Sequence, residues 1–428
     1  MKTPPDKPNS ALPAPHRAGR VCVVRAAGAT AGSTSSGFSL VELMIALLIG
    51  LIIMAAVVQI FSASRATYQL DEGLARLQEN GRFAMEFITR DLRNSAMAGC
   101  KRKGFDDEEG FYNNLDNSGG VADWSNFAGI SGSEYIGTGF GNTPFALTAT
   151  SNATGGWSPA FDSLLVLGSD TGGPGALPGS DVLIVRQLSG VPMGLQNPPH
   201  DNTTVFLDPA FANRVKKGQI VAITDCKRTS VFQVTDVAGA GTELAHAAGA
   251  GDPGNACGTW DTDTACKMGQ SLGPSAELQT FETFAYYVAM GTSGRPALYR
   301  AYLEVDTGDG ESFPRGEELV EGVENMQIVY GVDTNTGSTL DGRADAFMTA
   351  DQVETAGLWP RVVSIQISLL VASRNVSGTA TDVTSRDENT YVMGGDLMSA
   401  NRITVDPTDD FARRRVFTST IVLRNRGV

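Results

Sequence analysis

The feature that most constrains this chain is an uninterrupted apolar run close to its N-terminus. Residues 38–61 read FSLVELMIALLIGLIIMAAVVQIF and contain a single charged side chain, Glu42. At ~1.5 Å per residue, a helix of this length spans ~36 Å, which is enough to cross a bilayer. A secretory signal peptide carries a shorter apolar core of about 7–15 residues. The run therefore predicts a transmembrane helix that remains in the protein.

Charge is distributed unevenly on the two sides of this run. Residues 1–37 hold five basic side chains against Asp6, a net charge of +4, whereas the whole chain carries −14. The positive-inside rule places residues 1–37 in the cytoplasm and the rest of the chain on the other side of the membrane. The acidic body has no basic patch with interleaved aromatic residues, so nucleic-acid binding is not predicted.

Glu42 is the one residue of the apolar run whose insertion into the membrane is strongly unfavourable. A carboxylate inside such a span costs ~2.5–3.5 kcal/mol to insert, so it is expected to have a partner. If the chain is cut after Gly37, Phe38 gains a free α-amine about one helical turn from Glu42. That amine, on the same or a neighbouring subunit, would neutralise the carboxylate. Such a pair favours subunits that stack in one register, because only a correct neighbour compensates the buried charge.

The segment Gly37–Glu42, with the sequence GFSLVE, resembles the type III signal of type IV prepilins and type II secretion pseudopilins. The resemblance implies that a membrane prepilin peptidase cuts after Gly37 and N-methylates Phe38. It also implies that Glu42 supports assembly of subunits into a fibre.

Three features near this signal differ from the usual pattern. The leader is long, and Ser and Thr rather than Lys or Arg precede Gly37. A translation start at Val21 or Val24 would explain the length. Residues 38–98 contain no proline, whereas major pilins often carry one in the span. The missing proline favours a minor pilin or a pseudopilin.

Residues 62–99 are predicted to continue the helix as an amphipathic half outside the membrane, with Gly99 as its stop. Apolar residues recur at steps of three and four and form one stripe: Leu70, Leu74, Leu77, Gly81, Ala84, Phe87, Ile88 and Leu92. Charged residues occupy the opposite face: Asp71, Glu72, Arg76, Glu79, Arg82, Glu86, Arg90, Asp91 and Arg93. The stripe is expected to pack on a β-sheet; a separate coiled-coil partner is the alternative.

Residues 100–278 are predicted to be a β region rich in loops. Residues 100–160 show no sustained period and are rich in Gly, Asn, Asp and Ser. Further on, short segments rich in β-branched residues and bounded by turn residues predict strands at 163–169, 181–188, 203–208, 218–225 and 230–237.

Five cysteines lie in the chain, and Cys22 would leave with the leader. The remaining four suit two disulfides in an oxidising compartment. Cys257 and Cys266 are separated by eight residues of a Gly- and Asp-rich loop, for which a local cross-link is the expected restraint. Cys100 and Cys226 would then pair by default. Four free thiols and other partners for the second bond remain alternatives.

Residues 279–428 are predicted to form an antiparallel sheet with one solvated face. The expected strands are 281–290, 297–305, 323–333, 361–373 and 414–425. This region is similar to PilW, the large minor pilin of type IV pili. The similar stretches are GVENMQIVYG at 322–331, RVV at 361–363, RVF at 415–417 and LRN at 423–425. The helix segment LQENGRFA at 77–84 fits as well. The implied fold is α+β and type IV pilin-like. A long N-terminal helix packs on a C-terminal antiparallel β-sheet, with a large β- and loop-rich insertion.

An acidic loop near the C-terminal strands is a weak calcium candidate. Asp333, Asn335 and Asp341 have acidic or amide side chains, but Gly337 and Ser338 stand where a calcium loop requires an acid or amide and then glycine. A solvated hairpin loop is the simpler interpretation, and no other cofactor is predicted. No spacing of His, Cys or Ser indicates a metal or catalytic site, so an enzyme is not predicted.

These observations predict a structural assembly protein. The expected role is that of a minor pilin that primes pilus assembly and sits at or near the tip, in support of motility or adhesion. Expected partners are the prepilin peptidase, other minor pilins, the major pilin, a large tip adhesin and the inner-membrane assembly platform. The chain is expected to cross the inner membrane once, with its C-terminal domain in the periplasm, before it enters the fibre.

Two other functions fit the same sequence features. One is a large minor pseudopilin of a type II secretion system, although the length of the middle region favours PilW. The other is a membrane-anchored adhesive or ligand-binding ectodomain that uses the helix only as a tether.

Overall fold

The structure is a computed structural model that describes most of the chain from residue 37 onward. The described residues are 37–95, 111–116, 129–153, 155–160, 175–188, 191–201, 203–225, 229–249, 254–258, 275–302, 316–335, 341–373, 387–395, 402–407, 410 and 412–423. The predicted leader, the strand 163–169 and the helix stop at Gly99 involve residues outside these ranges. The chain divides into two compact units, Met1–Ser64 and Arg65–Val428.

A single helix, α1 (Leu40–Asn94), accounts for almost all of the described N-terminal residues. Its sequence has no proline and few β-branched residues after the apolar run, so no residue interrupts the hydrogen-bond ladder. Every side chain from Phe38 to Phe61 is exposed. Within the described ranges, α1 is the one helix long and apolar enough to cross a membrane. The predicted long helix is confirmed.

In the second unit, the described residues form twenty strands and one further α-helix, α2 (Ala350–Ala356). The strands are β1 (Phe111–Asn113), β2 (Ile130–Tyr135), β3 (Phe145–Leu147), β4 (Trp157–Ser158), β5 (Val182–Leu188), β6 (Met193–His200), β7 (Thr204–Leu207), β8 (Ile220–Thr224), β9 (Thr229–Gln233), β10 (Asp236–Ala238), β11 (Glu243–Ala245), β12 (Glu277–Met290), β13 (Pro296–Tyr302), β14 (Glu317–Glu321), β15 (Val323–Val332), β16 (Ala346–Met348), β17 (Val362–Ala372), β18 (Tyr391–Gly395), β19 (Arg402–Pro407) and β20 (Arg414–Val422).

The largest sheet has thirteen strands and is organised around β12. One path runs β1-β9-β8-β12-β6-β7-β11-β10, and β5, β13, β2, β4 and β14 join it to one side. The 14 residues of β12 allow it to pair with several strands along its length. Its first residues pair with β8, its middle with β5, and its last with β13.

Two smaller sheets complete the second unit. The four-stranded sheet has the order β16-β15-β17-β20, and its long central pair, β15 and β17, is antiparallel. The three-stranded sheet has the order β18-β19-β3. Met393, Ile403 and Val405 of this sheet pack on Val329 and Leu370 of the four-stranded sheet.

The main core lies between the second half of α1 and two of the sheets. Leu77, Ala84, Ile88 and Leu92 of α1 join one apolar cluster with side chains from β5, β12, β15 and β17. The predicted packing of the helical stripe on a β-sheet is confirmed. Leu74, however, is 43 % exposed, so the buried part of the stripe begins one turn later than the spacing predicts.

The central strands are buried on both faces. Phe284, Tyr286 and Val288 of β12 face the core with α1, whereas Tyr287 and Ala289 belong to a second cluster on the other side. The prediction of one solvated face is therefore wrong for β12, whereas it suits the edge strand β20. The second cluster includes Trp157, which sequence periodicity does not place in the core.

Most predicted strands are present with similar bounds. Differences occur where the chain bends: the segment 230–237 divides into β9 and β10, and β6 is a strand that local patterning misses. The predicted boundary between the middle region and the C-terminal sheet, at residues 278 and 279, falls inside β12. Hydrogen bonding groups β12 and β13 with the middle strands, and the four-stranded sheet begins at β15.

Candidate functional site

The expected cleavage site lies just before the first turn of α1. Residues Gly37 to Ser39 are not helical, and no atom lies within 4 Å of a Cβ placed on Gly37. The side chain of Phe38 is 87 % exposed. The peptide bond between Gly37 and Phe38 is therefore open on both sides in this chain, as a protease substrate requires.

Glu42 has a local role that its position in the apolar run does not reveal. Its Oε2 accepts a 3.1 Å hydrogen bond from the backbone N–H of Ser39. The Ser39 hydroxyl in turn accepts a 3.3 Å bond from the N–H of Val41, and the Ser39 carbonyl accepts the first helical bond from Leu43. Ser39 and Glu42 thus form a capping box, which satisfies amide groups that would otherwise be unpaired at the start of the helix. The spacing Ser-x-x-Glu was a signal for it in the sequence.

At its other end, α1 is held to the large sheet by a buried polar cluster. Asp91, only 5 % exposed, accepts a 2.6 Å hydrogen bond from the Tyr286 hydroxyl and lies 3.3 Å from Nη1 of Arg300. Arg300 also contacts Glu317 of β14 at 3.2 Å. Burial raises the pKa of Tyr286, and the charge of Asp91 raises it further, so the hydroxyl remains a donor. The prediction of Asp91 on the solvated helix face is therefore wrong.

Gly81 permits the closest approach between α1 and the four-stranded sheet. A Cβ at this position would overlap the Phe417 ring of β20 and lie 2.6 Å from its Cδ2. Asn80, the preceding residue, donates a 3.0 Å hydrogen bond to the carbonyl of Glu321. Asn80 and Gly81 therefore determine how closely α1 approaches the sheet and how the helix is rotated about its own axis. Of the two, Gly81 belongs to the predicted apolar stripe.

The polar side chains of the stretch 322–331 bind a segment of the middle region. Nδ2 of Asn325 and Nε2 of Gln327 donate to the carbonyl of Gly179, at 2.6 and 2.7 Å. The N–H of Met326 donates to the Ser180 hydroxyl at 3.0 Å, and its carbonyl accepts from the N–H of Asp181 at 2.9 Å. Asn325, Met326 and Gln327 lie in β15, whereas Gly179, Ser180 and Asp181 immediately precede β5. Their hydrogen bonds therefore join the four-stranded sheet to the thirteen-stranded sheet.

A second buried polar cluster surrounds Arg414 at the start of β20. Its guanidinium contacts Glu324 at 2.6 Å, Asp410 at 2.8 Å and Asp387 at 3.2 Å, and its side chain is 2 % exposed. Tyr391 donates to Asp387 at 2.7 Å. Three acids around one buried cation make the position of Arg414 strongly specified, because loss of Arg414 would leave the three acids without the cation that they share.

The calcium candidates use their oxygens for the backbone of their own loop. Oδ1 of Asp333 accepts from the N–H of Asn335, and Oδ2 accepts from those of Asp341 and Gly342. Burial raises the pKa of Asp333, but these hydrogen bonds outweigh it and lower the pKa. Within the described ranges, no group of three His, Cys, Asp or Glu residues is arranged to hold a metal ion. Calcium binding at Asp333, Asn335 and Asp341 stays a prediction.

Of the cysteines, only Cys257 lies in the described part of the chain, and it is disulfide-bonded. The neighbouring Ala256 donates a 2.9 Å backbone bond to Asn114, which places this disulfide beside β1. Cys22, Cys100, Cys226 and Cys266 lie outside the described residues. The pairs Cys257–Cys266 and Cys100–Cys226 therefore remain predictions.

Comparison with known families gives two matches. Residues 285–425 match the model of the family described as type IV pilus-assembly protein W, PilW, and residues 32–58 match the prokaryotic N-terminal methylation motif. The first match extends from within β12 to just beyond β20, and it includes Asn325, Gln327 and Arg414. No curated protein and no solved structure matches the chain.

The exposed cleavage segment, the capped apolar helix and the helix packed on an antiparallel sheet define a type IV pilin-like protein that is anchored in the membrane. Within that class, the family match over residues 285–425, which include the four-stranded sheet, supports a minor pilin of the PilW type.

Proposed function

We propose that this minor pilin primes assembly of a type IV pilus and occupies a position at or near the fibre tip. In this proposal residues 1–37 lie in the cytoplasm, and the prepilin peptidase cuts between Gly37 and Phe38. The body then remains in the periplasm until the protein moves into the fibre. The observation that carries the proposal is the exposed apolar helix that follows Phe38 and holds Glu42 in its first turn.

The capping box does not remove the need for a charged partner at Glu42. The Ser39 N–H is a neutral donor and brings no positive charge to the Glu42 carboxylate. Moving this charge into lipid costs ~2.5–3.5 kcal/mol. The α-amine of Phe38 on a neighbouring subunit would compensate it, and such a neighbour is present only in an assembled fibre.

The size of the second unit supports a terminal position. Closely packed helices lie about 8–10 Å apart. The main path of the large sheet has eight strands, which at about 4.8 Å per strand spacing is about 34 Å across. A body this broad takes up much more room across the fibre than its own helix does. One or a few copies at the end of the fibre would have that room.

The partners of this proposal follow from the same geometry. Helix α1 would pack among the helices of other minor pilins and of the major pilin, after the assembly platform of the inner membrane extracts it. The body would then meet a large tip adhesin. Each of these partners is an expectation from the family and from the exposed apolar helix.

Quantitative immunolabelling of sheared fibres tests the proposal. We expect the protein at fibre ends, at a small fraction of the amount of major pilin, and far fewer fibres in cells that lack it. Uniform labelling along the fibre would contradict the tip position. A normal number of fibres in the deletion strain would contradict priming. If that strain formed normal fibres but failed to secrete proteins, the chain would function as a pseudopilin. An uncut protein that never enters fibres would be a tethered ectodomain.

A further inference from the structure

The two larger sheets meet at a buried carboxylate. Oδ1 of Asp181, just before β5, accepts a 3.1 Å hydrogen bond from the N–H of Tyr135 in β2. Its Oδ2 accepts a 2.9 Å bond from the N–H of Ile328 in β15. Asp181 is 2 % exposed. A single side chain therefore connects the thirteen-stranded sheet to the four-stranded sheet.

Two further polar side chains are buried beside Asp181. Glu134 of β2 is 4 % exposed, and its Oε1 accepts a 3.2 Å bond from the Thr138 hydroxyl. Its Oε2 has no hydrogen-bond partner among the described residues, and the same holds for the hydroxyl of Tyr330 in β15. The Tyr330 hydroxyl lies against Gly132, where a Cβ would overlap it. Gly132 and Glu134 are two residues apart in a strand, so they face the same side.

The cluster carries negative charge without a basic neighbour. Four residues form the cluster: Glu134 of β2, Asp181 just before β5, Tyr330 of β15 and Asp351 near the start of α2. The other acid of α2, Glu354, binds the indole N–H of Trp359 instead. Burial raises the pKa of Glu134, and the charges of Asp181 and Asp351 raise it further, whereas hydrogen bonds from the Thr138 hydroxyl and the Ala350 backbone lower it. Burial also raises the pKa of Asp181.

We propose that Glu134 holds a proton in the folded protein and that this proton makes the contact between the two sheets sensitive to pH. The contact consists of Glu134, Asp181, Tyr330 and Asp351 and is called the sheet joint below. The proton removes one negative charge from the sheet joint and converts Oε2 into a donor. The unpaired oxygen of Tyr330, buried on the same side of β2 within the described structure, can then accept, directly or through one internal water.

The direction of the pH effect follows from proton linkage. An unfolded glutamate releases its proton near its ordinary pKa, whereas the folded protein retains it to higher pH. Between these two values the folded state binds more protons than the unfolded state, so the free energy of unfolding decreases as pH rises. The sheet joint is therefore more stable at low pH than at high pH.

Unfolding of the full chain in detergent micelles tests the first part of the proposal. Trp359 packs on Tyr330 with ring centroids 4.9 Å apart, so tryptophan fluorescence reports on the sheet joint. We expect the melting temperature of the wild type to fall between about pH 5 and about pH 9, and the fall to be at least halved in Glu134→Gln. Glu86→Gln, at an exposed helix position, should behave as the wild type does. An equal fall in Glu134→Gln would overturn the proposal.

Infrared spectroscopy with carbon-13-labelled glutamate tests the proton itself. At about pH 7 the wild type should show the carbonyl band of a protonated carboxylic acid, which Glu134→Gln removes. If Glu134→Gln does not fold, Thr138→Val serves instead. It removes the hydrogen bond that lowers the pKa of Glu134, so the band should persist to higher pH than in the wild type. A wild type without the band, or a Thr138→Val variant whose band disappears at the same or lower pH, would contradict the proposal.

Discussion

Asp91, near the end of α1, accepts a 2.6 Å hydrogen bond from the hydroxyl of Tyr286 in the middle of β12. The two residues are 195 positions apart in the chain, and Arg300 of β13 lies 3.3 Å from the same carboxylate oxygen. This cluster fixes the end of the helix against the central strand of the largest sheet.

Asp91→Asn should destabilise the second unit by about 3 kcal/mol, because it removes the buried carboxylate that pairs with Arg300 and leaves Arg300 with only the exposed Glu317. Asp71→Asn, at an exposed position of the same helix, should change stability by less than about 0.5 kcal/mol. Urea unfolding of both variants in detergent micelles, followed by tryptophan fluorescence, measures the difference. Equal stability of the two variants would show that the Asp91 cluster contributes no net stabilisation.

Gly81 provides a second test of the contact between helix and sheet. Gly81→Ala should destabilise by about 1–3 kcal/mol, because its Cβ overlaps the Phe417 ring and forces it to move. Gly73→Ala is the matched control. Its Cβ would lie 3.8 Å from the nearest atom, so the change should stabilise by up to about 1 kcal/mol through helix propensity.

Replacement of the opposing ring separates overlap from other effects of Gly81→Ala. In the Phe417→Leu background the added methyl group has room, so Gly81→Ala should cost much less than it does in the wild type. The same unfolding assay measures all four proteins of the cycle. A penalty that is independent of residue 417 would mean that the helix and β20 do not approach as closely as described.

The helix and most strands of this fold are predictable from periodicity, whereas the polar contacts between elements are not. The stripe through Leu77, Ala84 and Ile88 follows directly from steps of three and four. Asp91 lies at the margin of that stripe, and its burial depends on Tyr286 and Arg300, which no local pattern connects to it. Spacing alone therefore assigns it to the charged face.

Strand β2 shows a second limit of sequence patterns. Its sequence ISGSEY has two serines, a glycine and a glutamate, a composition typical of a loop. The strand is nevertheless fully buried along its first five residues. The small residues are needed because Tyr330 lies against Gly132, and the burial of Glu134 results from the neighbouring sheet. A tertiary contact thus determines the composition of this strand.

Glu42 has two roles that substitution can separate. Glu42→Gln keeps an oxygen that accepts from the Ser39 N–H but removes the charge, whereas Glu42→Ala removes both. If pairing with the Phe38 amine of a neighbour drives assembly, both variants should insert normally in the membrane and both should be depleted in fibres. Insertion should be easier by up to ~2.5–3.5 kcal/mol in either variant.

Immunoblots of membranes and of sheared fibres measure the two steps for each variant. Glu42→Asp, which retains the charge on a shorter side chain, is the matched control and should enter fibres better than Glu42→Gln does. Normal incorporation of Glu42→Gln together with loss of Glu42→Ala would mean that helix capping, not charge, is what assembly requires.

The central claim is that the chain is a prepilin cut between Gly37 and Phe38, and the intact mass of the mature protein tests it most directly. Mass spectrometry of protein purified from membranes or fibres should give the mass of a chain that begins with N-methylated Phe38. Gly37→Val should leave only the uncut precursor in the membrane, because the added side chain occupies the open space beside the bond to be cut. A mature wild-type protein that begins at any other residue, or that retains its leader, would contradict the account.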